Sequence, residues 1–482
     1  DKLKERVADY SLEKVSEITW IPKDKILEGA RIYATIRPAA LTWGLGCDKQ
    51  GVNLSNTARA RGILRAITGN LDVKGGDLIG FSGQLGKIVS DVEMELNEAL
   101  PPEQRRKQLG GNKYRLFSYQ GWELVSDAVG RVPQNYAKPP SAKMTAQANP
   151  RAIWEAVTEG KPYPVKAMIV VAGNPLMSLA NTRLAYKALK RLELLVVMDY
   201  YMTPTAELAD YVLPAASTLE RDDISIRGPR VFACPKALEP LYERRSDYEF
   251  WRELGLRLDQ EKYWPWKTAE EMCDYRLKPL KITFKELVDR YEVFAPPEYR
   301  KYEKYGFATP SGKVEIYSSI FEKLGYDPLP SYIEPPETYI TAPNIARDYP
   351  LILNTGGRFL PMYHSELRQI RSAREAVPEP IIDIHTETAE KLNIANGDWV
   401  WVETLRGKIK QKARVSEEVH PQMVHVQHGW WFPEKPGEDP ELHGLWESNA
   451  NVLCPDDPEY CSKEIGGWPL TALLCKIYKA EP

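Results

Sequence analysis

The run NTGGRFLPMYHSELR at 354–368 places two glycines, an arginine, a histidine and a serine within ten residues. Gly356 and Gly357 let backbone N–H groups approach a polyanion closely. Arg358, His364 and Ser365 add charged and polar donors to the same rim, which suits a phosphate or a heterocycle. The plain alternative is a tight turn with exposed polar residues. A second candidate is Gly173-Asn174-Pro175 after an apolar run, a turn that ends many strands without binding anything. Asp199 closes another apolar run and could accept from a guanine edge or a ribose, or simply cap the next loop. HGWWFPE (428–434) and SNANVLC (448–454) are polar–aromatic loops that could meet the far end of a ligand or merely close a barrel. His428 reads as structural unless it faces a cofactor.

Strands ending in loops must carry these groups. PVKAMIVVAGNP reads as a buried strand running into a turn. A helix over about 182–191, the strand LELLVVMD and the short strand DYVLPA follow. Strand–helix–strand at that spacing predicts a parallel sheet, whose ligands bind beyond the carboxyl ends of the strands. The helix DYEFWRELGLRL (247–258) is expected to cover one face. From 350 onward the pattern is mostly β: WVWVET alternates, and RGKIKQKARV and MVHVQH follow closely, which predicts a small barrel. Thr386 reads as an N-cap, Asn396-Gly397 as a turn, and Arg406-Gly407 as a strand junction.

The amino-terminal part reads differently. Residues 1–35 look helical, and ALTWGLGC (40–47) reads as a short strand ending in glycines. A helix over about 56–68 is expected to turn Ile63, Leu64 and Ile67 inward and Arg59, Arg61 and Arg65 outward, with Gly69 ending it. GNLDVKGGDL is a turn-rich exit, and 80–160 reads as long loops with short helices. Residues 260–345 form a connecting region.

The chain has 482 residues and a formal charge of −3, so several domains are expected and no general attraction to nucleic acid or anionic membrane. No apolar run reaches the roughly 18 residues of a membrane span. None of the 6 cysteines is paired at C-x-x-C spacing, which argues against a zinc ribbon or a self-contained iron–sulfur cluster. Their scatter suits reduced structural thiols. Cys47 sits in a glycine-rich loop, with no base nearby in sequence. The chain enters a charged helical pattern directly at Asp1, which reads as the C-terminal part of a longer polypeptide. The compartment stays open: cytoplasmic, or periplasmic were a twin-arginine signal to precede Asp1.

Together, WGLGCDKQ, ITGNLDVKGG, VVAGNPL, VVMDYYMTPTAELADYVLP, NTGGRFLPMYH and GDWVWVETLRGKI resemble the molybdenum/tungsten bis(molybdopterin guanine dinucleotide) enzymes, the dimethyl sulfoxide reductase family. KPYPVKA, MTPTAELADYVLP and ATPSGKVEIYSSIFEKLGYDPLP are most similar to acetylene hydratase-like members. The resemblance implies a multi-domain α/β fold, with parallel-sheet Rossmann-like domains and a C-terminal six-stranded type of β-barrel that binds the dinucleotide. The expected divisions are 1–160 for the rest of an α/β cofactor domain, 161–345 for a Rossmann-like domain and connection, and 346–482 for the barrel. Carried over position by position, the cofactor contacts are Leu45, Gly46, Lys49, Asn174, Met198, Asp199, Arg221, Asp247, Gly356, Gly357, Arg358, Met362, His364, Ser365 and Asn451. Strand-end acids suit guanine N–H groups, while glycines and arginine suit a pyrophosphate. The family often has Met and Gln where Leu45 and Lys49 stand, so Gln50 could take the role of Lys49.

The resemblance further implies Mo or W, and a 4Fe-4S cluster in sequence ahead of this chain. The metal's protein ligand would lie there too, so no metal ligand and no catalytic residue is assigned. Implied partners are a small-molecule substrate and an iron–sulfur electron-transfer subunit. Formate dehydrogenases of the family carry an arginine where FSGQ here has Ser82, which weakens a formate reading. The implied activity is two-electron redox chemistry at the metal. The alternatives are a non-redox tungsten hydratase of the acetylene hydratase type and a cofactor-free structural subunit.

Overall fold

A computed structural model describes residues 1–42, 44, 51–79, 86–89, 91–95, 100–134 and 136–481. The chain forms two compact units. One comprises Asp1–Gly44, Ser55–Ala148 and Ala216–Tyr332; the other comprises Leu45–Leu54, Asn149–Ala215 and Ile333–Pro482.

In the second unit, β1 (Ala167–Val171), β2 (Leu194–Asp199) and β3 (Tyr211–Pro214) form a parallel sheet in that order. Strand β2 is central and buries Leu195, Val197 and Met198. Strand β1 lies at an edge and buries only Val170, so it is more exposed than its apolar sequence suggests. The sheet packs on the helices Pro150–Glu159 and Thr182–Leu189 through Trp154, Ala185, Leu189, Leu195 and Val197. These helices take the covering role expected of 247–258, which folds in the first unit as the helix Asp247–Arg257.

The first unit holds an antiparallel sheet of β4 (Asp223–Arg227), β5 (Arg230–Cys234) and β6 (Glu292–Phe294). The sequence reading did not include it. Its turn, Gly228-Pro229, uses Gly228 at φ +55°. Residues 1–35 are helical as expected, in three pieces: Lys2–Ala8, Leu12–Thr19 and Lys23–Thr35.

Two expectations fail in this unit. Leu64 and Ile67, on the helix Leu54–Ile67, are 44% and 58% exposed. The arginines lie on the packed side instead: Arg65 pairs with Asp77 at 2.7 Å, and Arg59 stacks 4.0 Å over the Phe321 ring. Long arginine stems cover apolar surface while their heads find partners. Residues 40–42 are also not a strand. Asp77 accepts from Leu41 N–H at 3.0 Å and Arg65 donates to Leu41 O at 2.5 Å, so side chains satisfy that backbone.

The barrel is present and closed: β7 (Leu351–Gly357), β8 (Ile381–His385), β9 (Trp399–Thr404), β10 (Gly407–Ser416), β11 (Met423–Gln427) and β12 (Thr471–Lys479) run in the order β10-β8-β11-β7-β12-β9. Alternation sends Val400 and Val402 inward with Ile382, Ile384, Ile409, Val424 and Val426. Trp399 and Trp401 take the other face, with Lys408 standing 4.5 Å over Trp401. The turn at Gly397 (φ +89°) is as expected. The N-cap is not: His385 Nδ1 accepts from Glu387 N–H at 3.2 Å, and Thr386 is the first helical residue. Cys273, Cys454, Cys461 and Cys475 are buried, and burial pushes the thiols of Cys273 and Cys454 up to about 12.

One ion pair anchors the first unit's turn-rich exit. Lys301 Nζ lies 2.7 Å from Asp72, and their side chains are 4% and 0% exposed. Asp72 also accepts from Lys301 N–H at 2.8 Å. Replacing Lys301 by Met leaves the carboxylate buried and unpaired, and is expected to cost about 3–5 kcal/mol of unfolding free energy. The double change with Asp72→Asn should cost less. Denaturant midpoints of the two variants check this.

Candidate functional site

Two parallel strand ends start the site. Val171 on β1 registers with Met198 on β2. The chain then turns sharply at Ala172 (φ +51°), whose N–H donates to Met198 O at 3.3 Å. That turn delivers Asn174 to the rim as the N-cap residue of the helix Pro175–Ser178. Asn174 Oδ1 accepts from Thr205 Oγ1 at 2.7 Å, and Thr205 accepts from Leu176 N–H at 3.2 Å. Asn174 Nδ2 is buried without a protein partner. An oriented amide with unspent donors calls for an acceptor from outside the protein.

Asp199 ends the neighbouring strand. Its carboxylate accepts from Tyr200 N–H at 2.6 Å and Tyr201 N–H at 3.4 Å. Burial raises its pKa above the ordinary value, and the nearby charge of Glu366 adds to that shift. The Asp199 strand end and the loop after β7 therefore share one electrostatic environment. Met198 is 2% exposed, so its side chain belongs to the interior, and its carbonyl is taken by Ala172 N–H.

The loop after β7 is built around a chain of hydrogen bonds. His428 Nδ1 lies 2.8 Å from Gly357 O, which can only accept, so this nitrogen carries a proton. In the neutral ring, His428 Nε2 then accepts from His364 Nδ1 at 3.1 Å. His364 Nε2 is left to accept from Arg358 at 3.3 Å. Every bond is satisfied with both imidazoles neutral. The electrostatics agree: burial, and then the charges of Arg358 and Arg368, lower His364. Burial is also the largest cause that takes His428 down to about 4. Arg358 is exposed, rests 4.7 Å over the Tyr363 ring, and pairs with no carboxylate among the described residues.

Two glycines permit this packing. A Cβ on Gly357 would meet Val426 O at 2.7 Å, and one on Gly429 would meet His364 O at 2.3 Å. Ser365 presents its carbonyl to Trp431 Nε1 at 2.9 Å, while Gly356 is exposed and receives Asn354 Oδ1 on its N–H at 2.9 Å. Met362, 1% exposed, packs with Ala373, Val377, Trp430 and Phe432 as a core residue.

The β1–β2 pairing thus brings Asn174, Met198 and Asp199 together, and the β7–β11 pairing brings Gly356 to Ser365 beside His428. Asn451 donates to Met177 O at 2.7 Å. Arg221 and Asp247 lie in the first unit, paired with each other at 2.6 Å. Leu45, Gly46 and Lys49, with Cys47, Gln50 and Ser82, lie outside the described residues. Sequence reasoning passed over Thr205, which orients Asn174, and Arg368, which is buried behind the loop. Thr205 lies in MTPTAELADYVLP, a segment that carries the resemblance but in which no residue was singled out. No spacing signal marks Arg368 as more than a surface residue.

These groups fit a pterin dinucleotide. The unspent Asn174 amide and the exposed Arg358 cation suit its oxygen-rich phosphates and rings. Asp199 offers the complementary acceptor for a purine N–H edge. Within the described residues, no cluster of His, Cys, Asp and Glu could hold a metal ion, and no helix is long and apolar enough to cross a membrane.

The imidazole pair gives the protein a pH signature. An unfolded chain protonates His428 near pH 6.5, but the folded chain only near 4. Between those values the unfolded state holds more protons, so stability falls as pH drops, by up to about 3 kcal/mol. Denaturant midpoints measured from pH 7 to 4 should show that decline, and His428→Gln should flatten it.

Comparison with known proteins agrees with the fold. The molybdopterin oxidoreductase model matches residues 87–257, and the molydopterin dinucleotide binding domain matches residues 351–466. Acetylene hydratase of Syntrophotalea acetylenica is 38% identical over 491 residues, covering 99% of this chain and 66% of that protein. The solved acetylene hydratase from Pelobacter acetylenicus superposes with a TM-score of 0.92 at 37% identity, again over 99% of this chain and 66% of the other. Dopamine dehydroxylase of Eggerthella lenta is 28% identical over 99% of this chain and 53% of its own length. The chain thus spans less than two thirds of the length of these relatives. It belongs to the molybdopterin oxidoreductase family, the molybdenum and tungsten enzymes of the dimethyl sulfoxide reductase type.

Proposed function

We propose that the second unit grips the guanine dinucleotide of a molybdopterin cofactor, and that the enzyme it serves adds water to a small unsaturated substrate. The buried, unpaired Asn174 amide and the Asp199 carboxylate, after neighbouring parallel strands, carry the cofactor part of the reading. Asp199 accepts from the purine N–H edge, and Asn174 donates to a ring or ribose oxygen. Arg358 meets the anionic linker at the rim of the loop. The neutral imidazoles keep Arg358 at the rim without cancelling its charge.

When bound, the metal supplies Lewis acidity toward water or a multiple bond, or else a two-electron couple. Identity of 38% along nearly the whole chain to a protein named acetylene hydratase favours the hydration reading. The second reading is two-electron redox chemistry with an electron-transfer partner and a 4Fe-4S cluster. It draws on the relation to a dehydroxylase and on the oxidoreductase family model. The retained donor set speaks against a cofactor-free structural subunit.

Purified enzyme should convert an alkyne or alkene to its hydrated product with no electron acceptor present. Turnover only with a dye acceptor would sink the hydration reading and favour the redox one. Asp199→Asn turns an acceptor edge partly into a donor, and should lower guanine dinucleotide content several-fold while the fold persists. Nucleotide release after acid treatment, quantified against protein, checks this apart from activity.

A further inference from the structure

Behind the loop lies a buried group of donors that the cofactor reading does not use. Arg368 is 3% exposed. Its guanidinium donates to Glu366 O at 2.5 Å and His428 O at 3.2 Å, both neutral carbonyls, and its Nε has no partner. Its centre lies 5.3 Å from the Trp430 ring, and that of Arg374 lies 4.7 Å from the same ring. Arg374 pairs with Glu434 at 2.5 Å through one nitrogen, while its other terminal nitrogen is buried and unpartnered. Trp430 is wholly buried, and its indole N–H has no acceptor. Gln427 is 1% exposed. Its Oε1 takes Ile381 N–H at 3.1 Å, which fixes the amide and leaves Nε2 unpartnered.

All four orphaned groups are donors. Two belong to guanidinium cations facing one ring, and one carboxylate, Glu434, pairs with one of them. Glu366 acts on Arg368 from an exposed position and touches it only through its backbone carbonyl. Each orphaned donor costs on the order of 1–3 kcal/mol, and an unbalanced buried cation costs more. Water could serve the one orphaned acceptor adjoining this segment, Gln369 Oε1, but supplies no charge.

We infer that Arg368, Arg374, Trp430 and Gln427 together hold a small monovalent anion of the halide class. Guanidinium, indole and amide N–H groups are the donor types such an ion accepts from. The ion balances the second guanidinium and satisfies donors on both segments. The site is distinct from the dinucleotide contacts and does not depend on the reaction the enzyme performs.

The test compares thermal unfolding in potassium chloride, bromide and gluconate at equal ionic strength. The midpoint should rise by on the order of 2 °C, saturably, in the halides alone. Crystals grown in bromide should show an anomalous peak beside Arg368. Gln427→Glu keeps the acceptor for Ile381 N–H and installs a fixed negative charge, so it should abolish the halide-specific shift without lowering the midpoint in gluconate. Equal midpoints in halide and gluconate for the unaltered protein, or ordered water alone beside Arg368, overturns the site.

Discussion

The parallel pairing of β7 with β11 is the constraint on which the site depends. It sets Gly357 opposite Gln427 across a register shift. With no Cβ to strike Val426 O, the two backbones close together. Gly357 O then fixes the His428 tautomer, His428 fixes that of His364, and His364 fixes the heading of Arg358. Each link contributes only about 1 kcal/mol net. Their order matters more than their sum, because reversing one proton leaves two donors or two lone pairs facing each other.

The charged groups divide between the two strand systems. The parallel sheet supplies an acid whose pKa burial raises and an amide with unspent protons. The barrel loop supplies a cation kept free of carboxylates by neutral neighbours. Recognition of an anionic, purine-bearing ligand needs an acid for the purine edge and a cation for the anion, and neither element carries both. Glu366 links the two through its charge at Asp199.

Period-two and strand–helix–strand patterns made the parallel sheet and the barrel legible, because both rest on local alternation. The Asn174 and Asp199 positions were legible for the same reason: a strand end is a sequence feature. Leu64 and Ile67 were misplaced because helical periodicity assumes that apolar residues face inward. The ion pair of Arg65 with Asp77 and the stacking of Arg59 on Phe321 override it. The β4–β6 sheet was missed because β6 joins from far along the chain, and three residues carry no alternation. Likewise, nothing local joins His428 to His364; four strands of the barrel lie between them along the chain. Buried Arg368 was illegible because charged residues are rarely buried, and sequence shows no burial.

Arg368 also ties the inferred anion to the histidine pair. Its charge helps to hold both imidazoles below their ordinary pKa, alongside burial and Arg358. An anion beside Arg368 offsets part of that charge and lets both imidazoles protonate at a somewhat higher pH. Protonation of His364 Nε2 removes the acceptor for Arg358 and sets two cations against each other. The anion therefore stabilises the cluster behind the loop while narrowing the pH range over which the rim stays ordered. By linkage, lowering the pH must tighten anion binding, because each additional proton on the pair raises the charge that the anion meets.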